Sequence, residues 1–472
     1  MRMTHPDPDF ERFAASRDHQ RRAHRAIPGG AHTYAKGDDQ MPEWMPVVVD
    51  RGQGAFVWDL DGNRYIEYGQ GLRAVTMGHA EPRVTAAAAD WLGRGANFTR
   101  PARVELEAAD VFLDLVGADC VKFTKDGSSA TTAAVKLARA ATDRDTVAIC
   151  ADHPFLSQDD WFIGTTLMRA GIPDAVRDLT VTFPYGDLGA LVECLDTHRP
   201  ACVVMEAVRD ESDPADYLRA AIDLCRQRGV VFLLDEMITG FRWHATGAQG
   251  LFGLDPDLST FGKALANGHS VSALAGRRDL MELGGFDAPG DRVFLLSATH
   301  GAETHALAAA AEAMRIARDE DVAGQLMRQG ARLRESLRQA VEAAGAEGYV
   351  GTAGRDCNLV FYTRDADGHA SQPFRTLFLQ ELTRRGVLAP SFVITTAHTD
   401  AVIDQTAEAV HGALTVYVHA LNAGSVDGLL LGRPVQPVFR ERVGTVWTSV
   451  SRPGGDGAVF AEPAARTIPR HP

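Results

Sequence analysis

The residues able to do chemistry converge on one stretch. Asp235 closes the run Val230-Val231-Phe232-Leu233-Leu234, and Glu236-Met237-Ile238-Thr239-Gly240-Phe241-Arg242 follows it. Lys263 comes 28 positions after the aspartate (263 − 235), behind Leu258-Ser259-Thr260-Phe261-Gly262. Five apolar residues led by two β-branched ones predict a strand buried on both faces, and the second run reads as another strand. Ligands of open α/β sheets bind beyond the carboxyl ends of strands. Acid and amine therefore stand at comparable ends of two strands and can face one pocket. Pyridoxal 5′-phosphate (PLP) needs such a pair, because a lysine holds it as a Schiff base and an acid partners its pyridine nitrogen. A carboxylate there favours the protonated ring, the electron sink that stabilises a carbanion. Taken singly, a salt-bridged strand-end aspartate and a surface lysine would explain the two residues as well.

A second constellation adds an anion site. Asp126-Gly127-Ser128-Ser129-Ala130 follows the predicted strand 121–124 and opens an Ala-rich helix running to about Ala141. Backbone N–H groups at a helix start, with small hydroxyl side chains, attract a phosphate. Ser128 and Ser129 are the candidate ligands, and Gly127 lets the backbone come close. An ordinary N-cap would use the same residues.

Asp235-Glu-Met-Ile-Thr-Gly-Phe-Arg242 and Phe261-Gly-Lys263 resemble the signature of class III aminotransferases, within the branch of glutamate-1-semialdehyde 2,1-aminomutase and its relatives acting on sugars. The resemblance spans about residues 20 to 420. It implies PLP fold type I, Lys263 as the Schiff-base lysine and Asp235 as the ring-nitrogen acid. It further implies a phosphate loop at Gly127, Ser128 and Ser129, and Glu206 near the ring and its 3-hydroxyl. His153 stands where relatives place an aromatic ring over the cofactor; Phe155 is the other candidate. Ala298-Thr299-His300-Gly301 resembles the stretch whose threonine reaches the phosphate of the neighbouring subunit, which implies a homodimer with active sites at the interface. His79 reads as a packed turn histidine. After Ile27-Pro28-Gly29-Gly30, Lys36 occupies the register of the aminomutases' carboxylate-gripping arginine, and lysine cannot make that bidentate fork. Gly69-Gln70-Gly71-Leu72-Arg73 replaces their small-and-Trp pattern. Tyr34, Lys36, Arg73 and Trp161 are therefore the residues expected to set substrate choice, together with a loop from Asp287 to Phe294. Glu303, where the family more often has Asn, would suit a cationic substrate.

These residues need elements to hold them. Strands are predicted at 121–124, 146–150, 201–205, 230–234, 258–261 and 272–275, with amphipathic Ala-rich helices between. Strand–helix alternation predicts a mainly parallel sheet covered on both faces. The expected division is a helix and small antiparallel meander over 1–80, a large PLP-binding domain over 81–320, a smaller α/β domain over 321–421, and a tail over 422–472. Residues 429–439 are expected to pack back on the body, and the last fifteen to be disordered.

Bulk properties exclude other classes. The chain has 472 residues, 45% hydrophobic and 23% charged, ordinary for a globular protein and too long for one simple core. A formal net charge of −14 argues against nucleic acid or an anionic membrane as partner. Six scattered cysteines without a Cys-x-x-Cys pair point to buried thiols rather than disulfides or metal ligands. Without a signal-peptide core or spanning apolar run, a cytoplasmic protein is expected. The expected activity is amino transfer from an amino acid, glutamate or similar, to a sugar-like or aminoglycoside aldehyde or ketone. The alternatives are an intramolecular shift of the aminomutase kind, another PLP reaction such as racemisation or decarboxylation, and a non-catalytic regulatory protein of the same fold.

Overall fold

In the computed structural model, residues 11–151, 155–207, 214–288, 290–301 and 303–438 are described. The first strands, β1 (Val49–Gln53), β2 (Phe56–Asp59) and β3 (Arg64–Glu67), form the antiparallel meander. Its second turn is set by Asp59, whose carboxylate accepts the N–H groups of Asp61 and Asn63. A late strand completes this sheet, as described below.

The central sheet has seven strands: β4 (Cys120–Thr124), β5 (Val147–Cys150), β6 (Thr180–Phe183), β7 (Cys202–Glu206), β8 (Val231–Asp235), β9 (Leu258–Phe261) and β10 (Ser272–Gly276). Their spatial order is β4-β10-β9-β8-β7-β5-β6. The pairs among β6, β5, β7, β8 and β9 are parallel, and β10 runs antiparallel to both β9 and β4. The expectation of a mainly parallel sheet with helices therefore holds, with β10 as its one reversed strand. β7 and β8 are buried at every position, as continuous apolar runs in a parallel sheet require. β6 was not among the expected strands. It lies at the sheet edge and its Thr-Val-Thr-Phe is only partly buried, so it carries no continuous apolar run.

The helix Thr304–Asp319 is followed, after a turn, by Val322–Ala344. Beyond these lie the hairpin β11 (Val350–Ala353) and β12 (Val360–Thr363), the helix Gln372–Arg384, the short β13 (Val387–Leu388) and the helix Asp400–Ala423. β13 pairs in parallel with β3, Val387 opposite Ile66 and Leu388 opposite Glu67, so the meander shares a four-stranded sheet with a strand more than 300 residues later. Residues 431–436 return across the body. Leu431 N–H donates to Gln380 Oε1, Val435 N–H to Thr376 Oγ1, and Gln436 N–H to the Asp39 carbonyl. Val435 is buried, as expected for a segment that packs back. The last fifteen residues lie outside the described residues. The six cysteines are free thiols, five buried and Cys120 partly so. Among the described residues no helix is long and apolar enough to cross a membrane.

Candidate active site

Register brings the site together. β8 lies between β7 and β9, so the end of β8 places Asp235 opposite Glu206 of β7 on one side and Thr260 of β9 on the other. All three are buried. Asp235 Oδ1 accepts the Met237 N–H at 2.8 Å, and its other oxygen takes no hydrogen bond from any described residue. Burial first, then Glu206, pushes the Asp235 pKa up to about 7, against the pull of Lys263.

Lys263 starts a short 3₁₀ turn, Lys263–Ala266, directly after β9 and Gly262. Its φ is +41°, a conformation that costs a side-chain-bearing residue about 1–3 kcal/mol. Its Nζ has no hydrogen-bond partner among the described residues. Burial lowers its pKa while Asp235 and Glu206 raise it. The amine thus sits in the field of both carboxylates and stays available.

Met237 joins three parts of the wall. A Cβ on Gly127 would stand 2.8 Å from its Sδ, and one on Gly262 would stand 2.7 Å from it. Only glycine permits both approaches, so the helix start, the end of β8 and the lysine turn meet at one sulfur. At that helix start, Gly127–Thr142, the Asp126 carboxylate accepts from Ser129 N–H at 2.9 Å and Ser129 Oγ–H at 3.0 Å. The buried Ser128 accepts the Gln158 N–H at 3.0 Å. The N–H groups of Gly127 and Ser128 have no acceptor among the described residues. The N-cap and the anion site thus coexist: Asp126 caps the helix and leaves two donors free.

A frame of hydrogen-bonded polar groups surrounds these open ones. Glu236, also fully buried, accepts from Ala248 N–H (2.8 Å), Gln249 N–H (2.7 Å) and Thr239 Oγ–H. Arg242 is fully buried and donates to the carbonyls of Cys357, Ile394, Arg73 and Val75. Burial lowers its pKa to about 10. Asn267, at the end of the lysine turn, accepts the N–H groups of Thr76 and Met77 and donates to the Gly78 carbonyl. Arg242 thus fastens Arg73 and Val75 to the loop after β8, and Asn267 fastens Thr76, Met77 and Gly78 to the turn that carries Lys263.

The other expected site residues are distributed unevenly. Arg73 belongs to this assembly: burial lowers its pKa, and the Glu206 charge raises it. Trp161 packs into the core side of the sheet. It is buried in an apolar cluster with Leu156, Phe162 and Val204, and its indole N–H donates to Thr132 Oγ1 at 2.9 Å; sequence could not separate a large aromatic packed on the sheet from one facing a ligand. Glu303 already has a cation, since its carboxylate pairs with Lys125 and lies 3.7 Å from His300, so a cationic substrate would have to compete for it. Tyr34 and Lys36 lie on an exposed 3₁₀ turn and make no hydrogen bond or ion pair with Asp235 or Lys263. Thr299 is exposed and its carbonyl accepts from Asn97 Nδ2 at 2.9 Å; its neighbours Ala298 and Gly301 border a cleft with Lys125, Asp126 and Ser129. His153 lies outside the described residues. His79 is a packed histidine, paired with Glu67 at 3.1 Å.

The roles of Met237, Asn267 and Asn358 were not read from sequence. Asn267-Gly268 carried a usable signal, as an Asn-Gly pair marks a left-handed turn, and Asn267 has φ +45°.

The donor set fits PLP. An open carboxylate oxygen, an open amine and two free N–H groups at a long helix start match a ring nitrogen, an aldehyde carbon and a phosphate, and the two glycines make room beside them. Fold and site together define a PLP enzyme of fold type I. The chain belongs to the class III aminotransferases: the family model described as Aminotransferase class-III matches residues 34–166 and 190–410. Glutamate-1-semialdehyde 2,1-aminomutase of Chloroflexus aggregans is 32% identical over 435 aligned residues, covering 85% of this chain and 98% of that protein. A transaminase solved with PLP bound superimposes with a TM-score of 0.77 at 25% identity, covering 87% of this chain and 98% of the other. A glutamate-1-semialdehyde aminomutase from Pseudomonas aeruginosa PAO1 shares the fold, with a TM-score of 0.74 at 21% identity over 86% of this chain and 96% of that one. The protein is a PLP-dependent transaminase acting on small molecules.

Proposed function

We propose that this transaminase moves an amino group between two molecules, from an amino acid donor such as glutamate to a sugar-like or aminoglycoside aldehyde or ketone. Bound PLP supplies the electron sink that lets the substrate Cα lose a proton. Lys263 would hold the cofactor as a Schiff base, and its amine is the group that would carry that proton as general base and then acid. Asp235 would meet the ring nitrogen and favour its protonated form, and Glu206, opposite Asp235 on the next strand, would be the acid near the ring and its 3-hydroxyl. Gly127 and Ser128, whose N–H groups have no acceptor among the described residues, would hold the phosphate. Ser129 gives both its N–H and its hydroxyl to Asp126 and would have to release it to join them. His153 would cover the ring, and Thr299 of a second copy would complete the phosphate site in a homodimer. Residues 81–320 act as the cofactor-binding domain and 321–421, with the N-terminal meander, as the smaller one. The observation that carries this reading is the pair of open groups, one Asp235 oxygen and the Lys263 amine, at the ends of adjacent strands.

An intramolecular amino shift is the second reading, favoured by the aminomutase relatives. Lys36 in place of the fork-forming arginine weighs against it. Turnover of the semialdehyde without any external donor would establish the second reading; turnover of an acceptor only with a donor establishes the first. Lys263→Ala is expected to abolish turnover and the absorbance band of the lysine-bound cofactor at about 410–430 nm. Retention of both would remove Lys263 from the mechanism.

A further inference from the structure

Arg73 sits at the end of a strained turn. Gln70, Gly71, Leu72 and Arg73 have φ of +44°, +58°, +58° and +72°. Three of them bear side chains, and each such residue costs about 1–3 kcal/mol unless its surroundings over-determine it. Here they do. Both Glu67 carboxylate oxygens accept the Gln70 N–H, at 2.8 and 2.7 Å, and the Gln70 amide donates to the Glu67 carbonyl. A Cβ on Gly69 would stand 2.6 Å from Glu67 Oε1. Arg242 grips the Arg73 carbonyl at 3.2 Å and the Val75 carbonyl at 2.7 Å. Asn267, four residues after Lys263, holds Thr76 and Met77 at 2.9 and 3.0 Å. A turn fixed this heavily holds one guanidinium where its charge is felt by Lys263 and where it feels the charge of Glu206.

That side chain is clamped at one atom only. Arg73 Nε donates to Asn358 Oδ1 at 2.9 Å. Nη1 and Nη2 bond no described residue, and no described carboxylate forms an ion pair with the guanidinium. Arg242, whose guanidinium lies close enough to grip the Arg73 backbone, donates to neutral carbonyls alone. Two largely buried cations with no ion pair between them are held at a desolvation cost that an anionic ligand relieves. The geometry also has a shape. With Nε taken by Asn358, the end-on fork of Nη1 and Nη2 is what remains, and that fork matches a carboxylate.

We propose that Arg73 is the carboxylate site of the substrate cavity, with Asn358 as its positioning residue, so that the molecule bound beside Lys263 is an amino acid or a carboxylate-bearing carbonyl compound rather than a simple amine. This rests on the reading of the cavity as a transaminase site and narrows its substrate class.

The test uses the PLP-loaded protein and a pair of non-reacting probes, glutarate and its neutral diamide, titrated calorimetrically. Wild type is expected to bind glutarate at least about tenfold tighter than the diamide, and Arg73→Gln to erase that preference. Asn358→Ala, which leaves Arg73 in place, is expected to reduce it by about three- to tenfold. A purely structural Arg73 would lower the melting temperature of the variants and leave the preference intact, which would overturn the proposal, as would a wild type without preference. The probes cannot transfer an amino group. If glutamate fails to bleach the cofactor band while glutarate still discriminates wild type from Arg73→Gln, amino transfer is refuted and the carboxylate site stands.

Discussion

Asp235 and Glu236 are neighbours in the chain, both buried carboxylates at the end of β8, and they face opposite surroundings. Glu236 has three donors, and it staples the loop after β8 to the helix Gly247–Phe252. Asp235 has one, from the next backbone but one, and its other oxygen is left to the cavity with Glu206 and Lys263 nearby. A carboxylate whose lone pairs are filled by fixed donors holds structure together. One whose lone pair is left open in a buried site is kept that way for a ligand, because the open group costs stability. The same contrast separates Arg242, gripping four carbonyls, from Arg73, gripping one amide.

Exchanging the two carboxylates' chemistry gives the sharpest test of that contrast. Asp235→Asn is expected to lower kcat by about 10²–10⁴-fold, the range for a group that governs proton transfer, and to weaken PLP binding, with little change in melting. Measuring kcat at saturating PLP checks this; a near-normal rate would erase the distinction. Glu236→Ala should do the reverse. It strands three donors and is expected to cost about 3 kcal/mol of stability, at about 1 kcal/mol each, read by urea unfolding, while kcat of the folded, PLP-loaded fraction changes by less than about threefold. The smallest effect is in pH. In the cofactor-free protein, the Asp235 pKa stands above its ordinary 3.8, at about 7. The stability it contributes is complete below about pH 4 and is lost as pH rises through about 7. Melting of the cofactor-free wild type should therefore fall more between pH 5 and 8 than that of Asp235→Asn, which has no proton to lose there.

The strands that hold the site were legible because they are central and free of glycine and proline. Val230 to Leu234 could be placed from hydrophobicity alone and Leu258 to Phe261 as a short extended run before Gly262, and the carboxyl ends followed. What lay at a sheet edge or depended on distant partners was not legible. β6 alternates polar and apolar residues at an edge, and β13 is two residues long. Arg242 could be quoted as part of a motif, yet its role as a carbonyl clamp depends on Cys357 and Ile394, over 100 residues away. Arg73 was singled out as a departure from a pattern, but its single clamp, Asn358, is 285 residues distant. Trp161 could not be placed from sequence because size and aromaticity suit a core and a channel equally; its burial and its bond to Thr132 are tertiary facts.

The way residues 387–388 and 431–436 hold the first part of the chain has a consequence for synthesis on the ribosome. Every strand of the sheet bearing Asp235 and Lys263 has been made once Gly276 emerges. β3 must wait for Val387, Gln40 for Gln436, which is 396 residues later, and Arg73 for Asn358. At about 5–20 residues per second, these delays are on the order of tens of seconds. The nascent chain can therefore build its cofactor cradle first and finish the substrate end of the cavity last.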